Sequence, residues 1–162
     1  MRRALTTGGV VVVLLLLGLW MFAAVAWSSC DSLSSEATTA LESLAKSQID
    51  VRDRSGHFAQ SFAEARWAPP TNSRYIFGWI SSSGSAIYAP SGSAQAKAQH
   101  VNGRALTYRD ILREAPDAIV SGSGFRLAAV GDLDTDGTDP DFDVWVIDDH
   151  LSLIRRRDDC RQ

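Results

Sequence analysis

Cysteine and histidine are scarce in this chain, with two cysteines and three histidines among 162 residues. His57, His100 and His150 are scattered, so they form no cluster with metal-ligand spacing. There is no CxxC pair, no G-x-S-x-G elbow, no phosphate-binding P-loop and no H-E-x-x-H helix, which excludes the enzyme classes built on those motifs. The chain reads as non-enzymatic. Positive charge is also short: 16 Lys and Arg stand against 19 Asp and Glu, a formal charge of −3. Without Arg2 and Arg3 the remainder carries −5, which excludes nucleic acid and an anionic membrane surface as electrostatic partners. Length for a second domain is missing too, since domains cluster near roughly 100 to 150 residues.

One long apolar run is present. "MRRALTTGGVVVVLLLLGLWMFAAVAWSSC" has no charged residue between Val10 and Ala26. As a helix this run is about 25 to 30 Å long, close to the ~30 Å hydrocarbon thickness of a bilayer. Arg2 and Arg3 precede it and the next basic residue is Lys46, so the positive-inside rule puts residues 1–9 in the cytoplasm and residues 28–162 outside. The expected organisation is a cytoplasmic 1–9, a transmembrane helix at 10–27 and an exported head at 28–162. Two alternatives stay open: a cleaved signal peptide ending at Ala24-Val25-Ala26, which makes the protein secreted, and lipidation at Cys30. All three readings export the head, where an oxidising compartment permits a disulfide between Cys30 and Cys160. Two independent thiols, or a lipidated Cys30 with a free Cys160, remain the alternatives.

"SLSSEATTALESLAKSQIDVRDR" lacks glycine and proline and repeats apolar residues at Leu33, Ala37, Leu41, Leu44 and Ile49. That spacing predicts an amphipathic helix over about 31–55, stopping near Gly56, either newly capped or continuous with the apolar run. Phe58, Phe62 and Trp67 then point to a packed loop ending at Pro69 and Pro70. Arg74 to Ile80 reads as a first strand, residues 81–103 as a Ser/Gly/Ala-rich excursion, and Tyr108 onward as a short helix capped by Thr107. Three antiparallel strands follow in "GFRLAAVGDLD", "DVWVID" and "LSLIRRR". The expected fold class is α+β, with a long N-terminal helix packed on a small antiparallel sheet over about 74–157. Trp67, Trp79 and Trp145 read as packing residues, and "RRRDD" (155–159) as a solvated edge with local ion pairs.

Between the first two of those three strands lies "GDLDTDGTDPDFD". Asp132, Asp134, Asp136, Gly137 and Asp143 match the calcium-loop spacing D-x-D-x-D-G-x5-[D/E]. Alternate carboxylates can wrap a hard cation that needs six to eight oxygens, Gly137 permits the turn, and the carbonyl of Thr138 adds a ligand. The closing residue is Asp143, one methylene shorter than the usual glutamate. Calcium is the expected ion. The competing account is a solvated Asp/Gly turn, in which each close pair of aspartates costs at most ~1 kcal/mol.

Two stretches carry a family resemblance. "ALESLAKSQIDVRDRSGHFAQSFAEARWAPPTNSRYIFGW" is similar to the type IV pilin segment in which the helix ends at a Gly-aromatic element and an Arg-Tyr strand follows a proline loop. "AVGDLDTDGTDPDFDVWVIDDHLSLIRRRDD" resembles the closing hairpin of delta-proteobacterial pilin-like proteins. Together they cover about half of the chain. The resemblance implies a pilin or type II secretion pseudopilin-like structural subunit with a pilin-like roll. It implies an inner-membrane anchor, a head in the periplasm or outside the cell, other pilin or pseudopilin subunits as partners, and calcium in the C-terminal sheet region. The prepilin N-terminus is degenerate: Gly9 is followed by Val10, and Leu14 stands where the family places a glutamate. The alternative is a secreted or lipid-anchored calcium-binding domain that does not polymerise.

Overall fold

The computed structural model describes residues 12, 16–17, 34–71, 73–89, 100–101, 104–133 and 142–158. The chain divides into two compact units, Met1–Ser32 and Leu33–Gln162. Of the first unit, Val12, Leu16 and Leu17 are described; all three are helical and exposed.

In the second unit helix α1 covers 34–55, about six turns at 3.6 residues each. Its buried stripe runs through Ala37, Ala40, Leu41, Leu44, Ala45, Gln48 and Val51, while Glu42, Lys46, Asp50, Arg52 and Asp53 face solvent. The stripe thus leaves the expected line at Ile49, which is half-buried, and passes through a buried glutamine. Gln48 is satisfied there: its Oε1 accepts from the Ala59 amide at 2.8 Å and its Nε2 donates to the Ala59 carbonyl at 3.2 Å. Gly56 ends the helix with φ +78°, donating its amide to the Arg52 carbonyl at 2.7 Å. A left-handed residue after the last turn favours glycine.

The expected long N-terminal helix, half in a membrane and half on the sheet, is corrected by the structure. Among the described residues no helix is long and apolar enough to cross a membrane. The described helix α1 is a charged, amphipathic element of the head, and the two units separate between Ser32 and Leu33.

A five-stranded antiparallel sheet replaces the pilin-like roll as the organising element. Its strands are β1 (Tyr75–Ile80), β2 (Ala86–Ala89), β5 (Arg126–Gly131), β6 (Asp143–Asp148) and β7 (Leu153–Arg157), in the order β2-β1-β5-β6-β7. Two two-residue strands, β3 (His100–Val101) and β4 (Arg104–Ala105), pair separately. Short helices α2 (Phe62–Ala65) and α3 (Tyr108–Glu114) complete the described elements. Thr107 caps α3 as expected, in a reciprocal capping box with Asp110.

The sheet is covered on both faces. On one side Tyr75, Phe77, Trp79, Leu127, Ala129 and Ile147 pack with the α1 stripe, Phe58 and Phe125. On the other, Ile76, Ala128, Val130, Val144 and Val146 pack with Leu106, Ile111 and Phe142. The two sets alternate along each strand, as a pleated backbone requires. The register between β6 and β7 slips by one residue: Trp145 faces Arg155, but Val144 faces Arg157.

Candidate functional site at the root of the Asp-rich hairpin

Strands β5 and β6 are the two legs of the Asp-rich hairpin. Their register pairs Gly131 with Asp143, so residues 132–142 are closed at the base by paired backbone. Asp132 and Asp143, the first and last of the candidate ligands, flank this root and are both buried. Asp134, Asp136 and Thr138 lie outside the described residues, as do Cys30 and Cys160. Among the described residues no group of three or more His, Cys, Asp or Glu side chains is placed to hold a metal ion.

Asp143 is fully buried and its carboxylate is engaged on both oxygens. Oδ2 accepts from the Tyr75 hydroxyl at 2.6 Å and from Trp145 Nε1 at 2.6 Å. Oδ1 accepts from Arg155 Nε at 2.7 Å. The same guanidinium donates from Nη2 to Ser34 Oγ at 3.1 Å, meets Asp158 Oδ1 at 2.7 Å, and lies over the Trp145 ring at 5.3 Å. One cluster thus ties the start of α1, strand β1 and the C-terminal edge strand to the hairpin root.

Gly131 makes the cluster possible. Tyr75 pairs with Gly131 on β5, and Gly131 pairs in turn with Asp143 on β6, so the three residues form one row across three strands. The tyrosine side chain crosses the row over Gly131. A Cβ there would stand 2.7 Å from Tyr75 Cδ1, well inside van der Waals contact. Burial, followed by the charge of Asp143, pushes the Tyr75 hydroxyl far above its usual range, so it donates to the carboxylate at all ordinary pH. Arg74 closes the other leg, donating from Nη1 to the Leu133 carbonyl at 2.9 Å. Spacing along the loop gave no notice of Tyr75, Trp145 or Arg155. An isolated glycine inside a strand, as at Gly131, is the one local signal for such a close approach.

The arginines of "RRRDD" were expected as a solvated edge with local ion pairs; Arg155 pairs locally with Asp158, and each arginine also reaches a carboxylate distant in the sequence. Arg155 takes Asp143; Arg156 makes two hydrogen bonds to Asp117, which also accepts from Arg126 Nη1 at 2.6 Å; Arg157 meets Glu114 at 3.0 Å. Asp117 sits between two guanidinium groups, and the hydrogen bonds from Arg156 hold its carboxyl down at about 2. Trp79 is wholly buried as expected, Trp67 and Trp145 partly so. His57 lies 3.4 Å from Glu64 and His150 lies 3.7 Å from Asp149, both at the surface.

No family model matches the sequence. No curated protein matches it either.

Proposed function

We propose that the chain is a non-enzymatic, membrane-tethered structural or interaction protein whose exported head carries a calcium-binding Asp-rich hairpin. The observation that supports this reading is the Gly131–Asp143 pairing, which sets the two ends of the Asp-rich segment side by side, and the spacing of its aspartates in the sequence is that of a loop for a hard cation. The tether is the apolar segment Val10–Ala26, and the exposed apolar residues Val12, Leu16 and Leu17 support it. A polymerising, pilin-like role would rely on the acidic N-terminal contact whose position is held by Leu14, so the non-polymerising head is the reading adopted.

Ligand binding to the folded state alone raises stability by RT ln(1 + [L]/Kd), about 2.7 kcal/mol at a hundredfold excess over Kd. The full chain in mild detergent should therefore melt several degrees higher in millimolar CaCl2 than in EGTA, and equal melting temperatures would sink the calcium reading. Recovery of the chain in sheared surface filaments would replace the tethered head by a filament subunit.

A further inference from the structure

The closing position of a calcium loop normally supplies both oxygens of one carboxylate to the ion. Here that position is Asp143, and its oxygens are already distributed among three donors at 2.6, 2.6 and 2.7 Å within a fully buried site. One of those donors is itself a cation. The Arg155 guanidinium is fixed from three further sides, by Ser34, by Asp158 and by the Trp145 ring. A divalent ion bound to Asp143 would have to approach this positive charge across a few ångströms of buried space, where repulsion is weakly screened.

We infer that Arg155 is the permanent counter-ion of the hairpin root, so that Asp143 anchors the two strands without ligating metal and the hairpin closes whether or not the loop above it holds calcium. This rests on the calcium reading only for what happens in the loop. The root itself is assembled from residues of α1, β1, β6 and β7 and asks nothing of an ion. Calcium binding is thereby separated from folding: any cation would meet strands already paired at the root, with Asp143 outside its coordination. A substituted anchor should therefore lower stability equally with and without calcium, whereas a substituted ligand should cancel the calcium-dependent increment.

The test uses the full chain in mild detergent, with CaCl2 as the titrant and EGTA as the metal-free state. In EGTA, Asp143→Asn and Arg155→Gln should each lower the melting temperature by on the order of 10 °C, as expected for a broken buried pair. Calcium titration of Asp143→Asn by isothermal calorimetry should give a dissociation constant less than about tenfold weaker than wild type, tenfold being the loss of about 1.4 kcal/mol. A folded Asp143→Asn protein that binds calcium tenfold or more weakly overturns the inference. If that variant does not fold, Tyr75→Phe is the substitute, since it removes one donor from Oδ2 and leaves the ring in place. Its calcium affinity should stay within the same limit, and a tenfold change in either direction overturns the inference. A wild-type chain that binds no calcium at millimolar concentration ends the calcium reading alone. The melts in EGTA then decide the anchor: lowered temperatures uphold it, and unchanged ones overturn it.

Discussion

Tyr75 and Asp143 lie on strands that are not neighbours, and they are joined over the bare backbone of Gly131 by a 2.6 Å hydrogen bond. The bond exists because the intervening strand has no side chain at that point. Gly131→Ala is therefore expected to displace the Tyr75 ring and cost about 1 to 3 kcal/mol, the range for an overpacked core. A lowered urea midpoint, together with a changed near-ultraviolet tyrosine signal, checks this. An unchanged midpoint would mean that the ring has another path.

The same tyrosine sets an alkaline limit. Its hydroxyl is pushed above the ordinary 10.0 by burial and by Asp143, so as pH rises past 10 the unfolded chain loses this proton first. The unfolded state then binds fewer protons than the folded one, and stability falls with further rise in pH. Below 10 the contribution is fully present. Melting of wild type against Tyr75→Phe should show a gap that narrows above pH 10, and a constant gap would contradict it.

At the acid end Asp117 is the group to watch. Its pKa is lowered from 3.8 to about 2, first by Arg156, so its contribution is present above 3.8 and lost as pH falls towards 2. The side chain is 41% exposed, so salt should weaken the effect. The difference in melting temperature between wild type and Asp117→Asn should shrink between pH 4 and 2, and should be smaller in 1 M NaCl than in dilute buffer. A difference indifferent to both would rule out the ion pairs as its source.

Gln48 offers a test on the opposite side of the sheet from α3. Its amide brackets both backbone groups of Ala59 from inside the core. Gln48→Leu keeps much of the volume and leaves those groups unpaired, at a cost of about 1 to 3 kcal/mol each if no water replaces the side chain. Faster proteolysis within 56–61, with a lowered denaturant midpoint, is the expected outcome. Unaltered cleavage would show that Phe58 and its neighbours hold the loop without the amide.

Local signals were enough for much of the head. Tyr75–Ile80 is dense in aromatic and β-branched residues, Gly56 punctuates the helix, and Thr107 with Asp110 spells a cap; each is decided within a few residues. Strand β2 escaped because Ala86–Ala89 sits among serines and glycines and earns its place by pairing with β1, a partner several residues away. One long N-terminal helix is not seen among the described residues; an apolar run and an amphipathic run can be drawn as one line on paper, and periodicity alone does not choose between a continuous helix and a newly capped one. Asp143 shows the limit most plainly. Loop spacing counts positions along the chain, whereas the neighbours of this carboxylate come from positions 75, 145 and 155. Such assignments depend on strand order and register, which a single sequence does not display.

The register slip between Trp145 and Val144 acts as a sorting device for charge. Strict alternation along β7 would send Arg155 and Arg157 to the same face, with two cations crowding one buried carboxylate. One extra residue in the edge strand reverses the parity, so Arg155 turns towards α1 and Arg157 towards Glu114 on α3. Three consecutive like charges are thereby distributed over both layers of the head, and a repulsive run becomes a clasp around the sheet's edge.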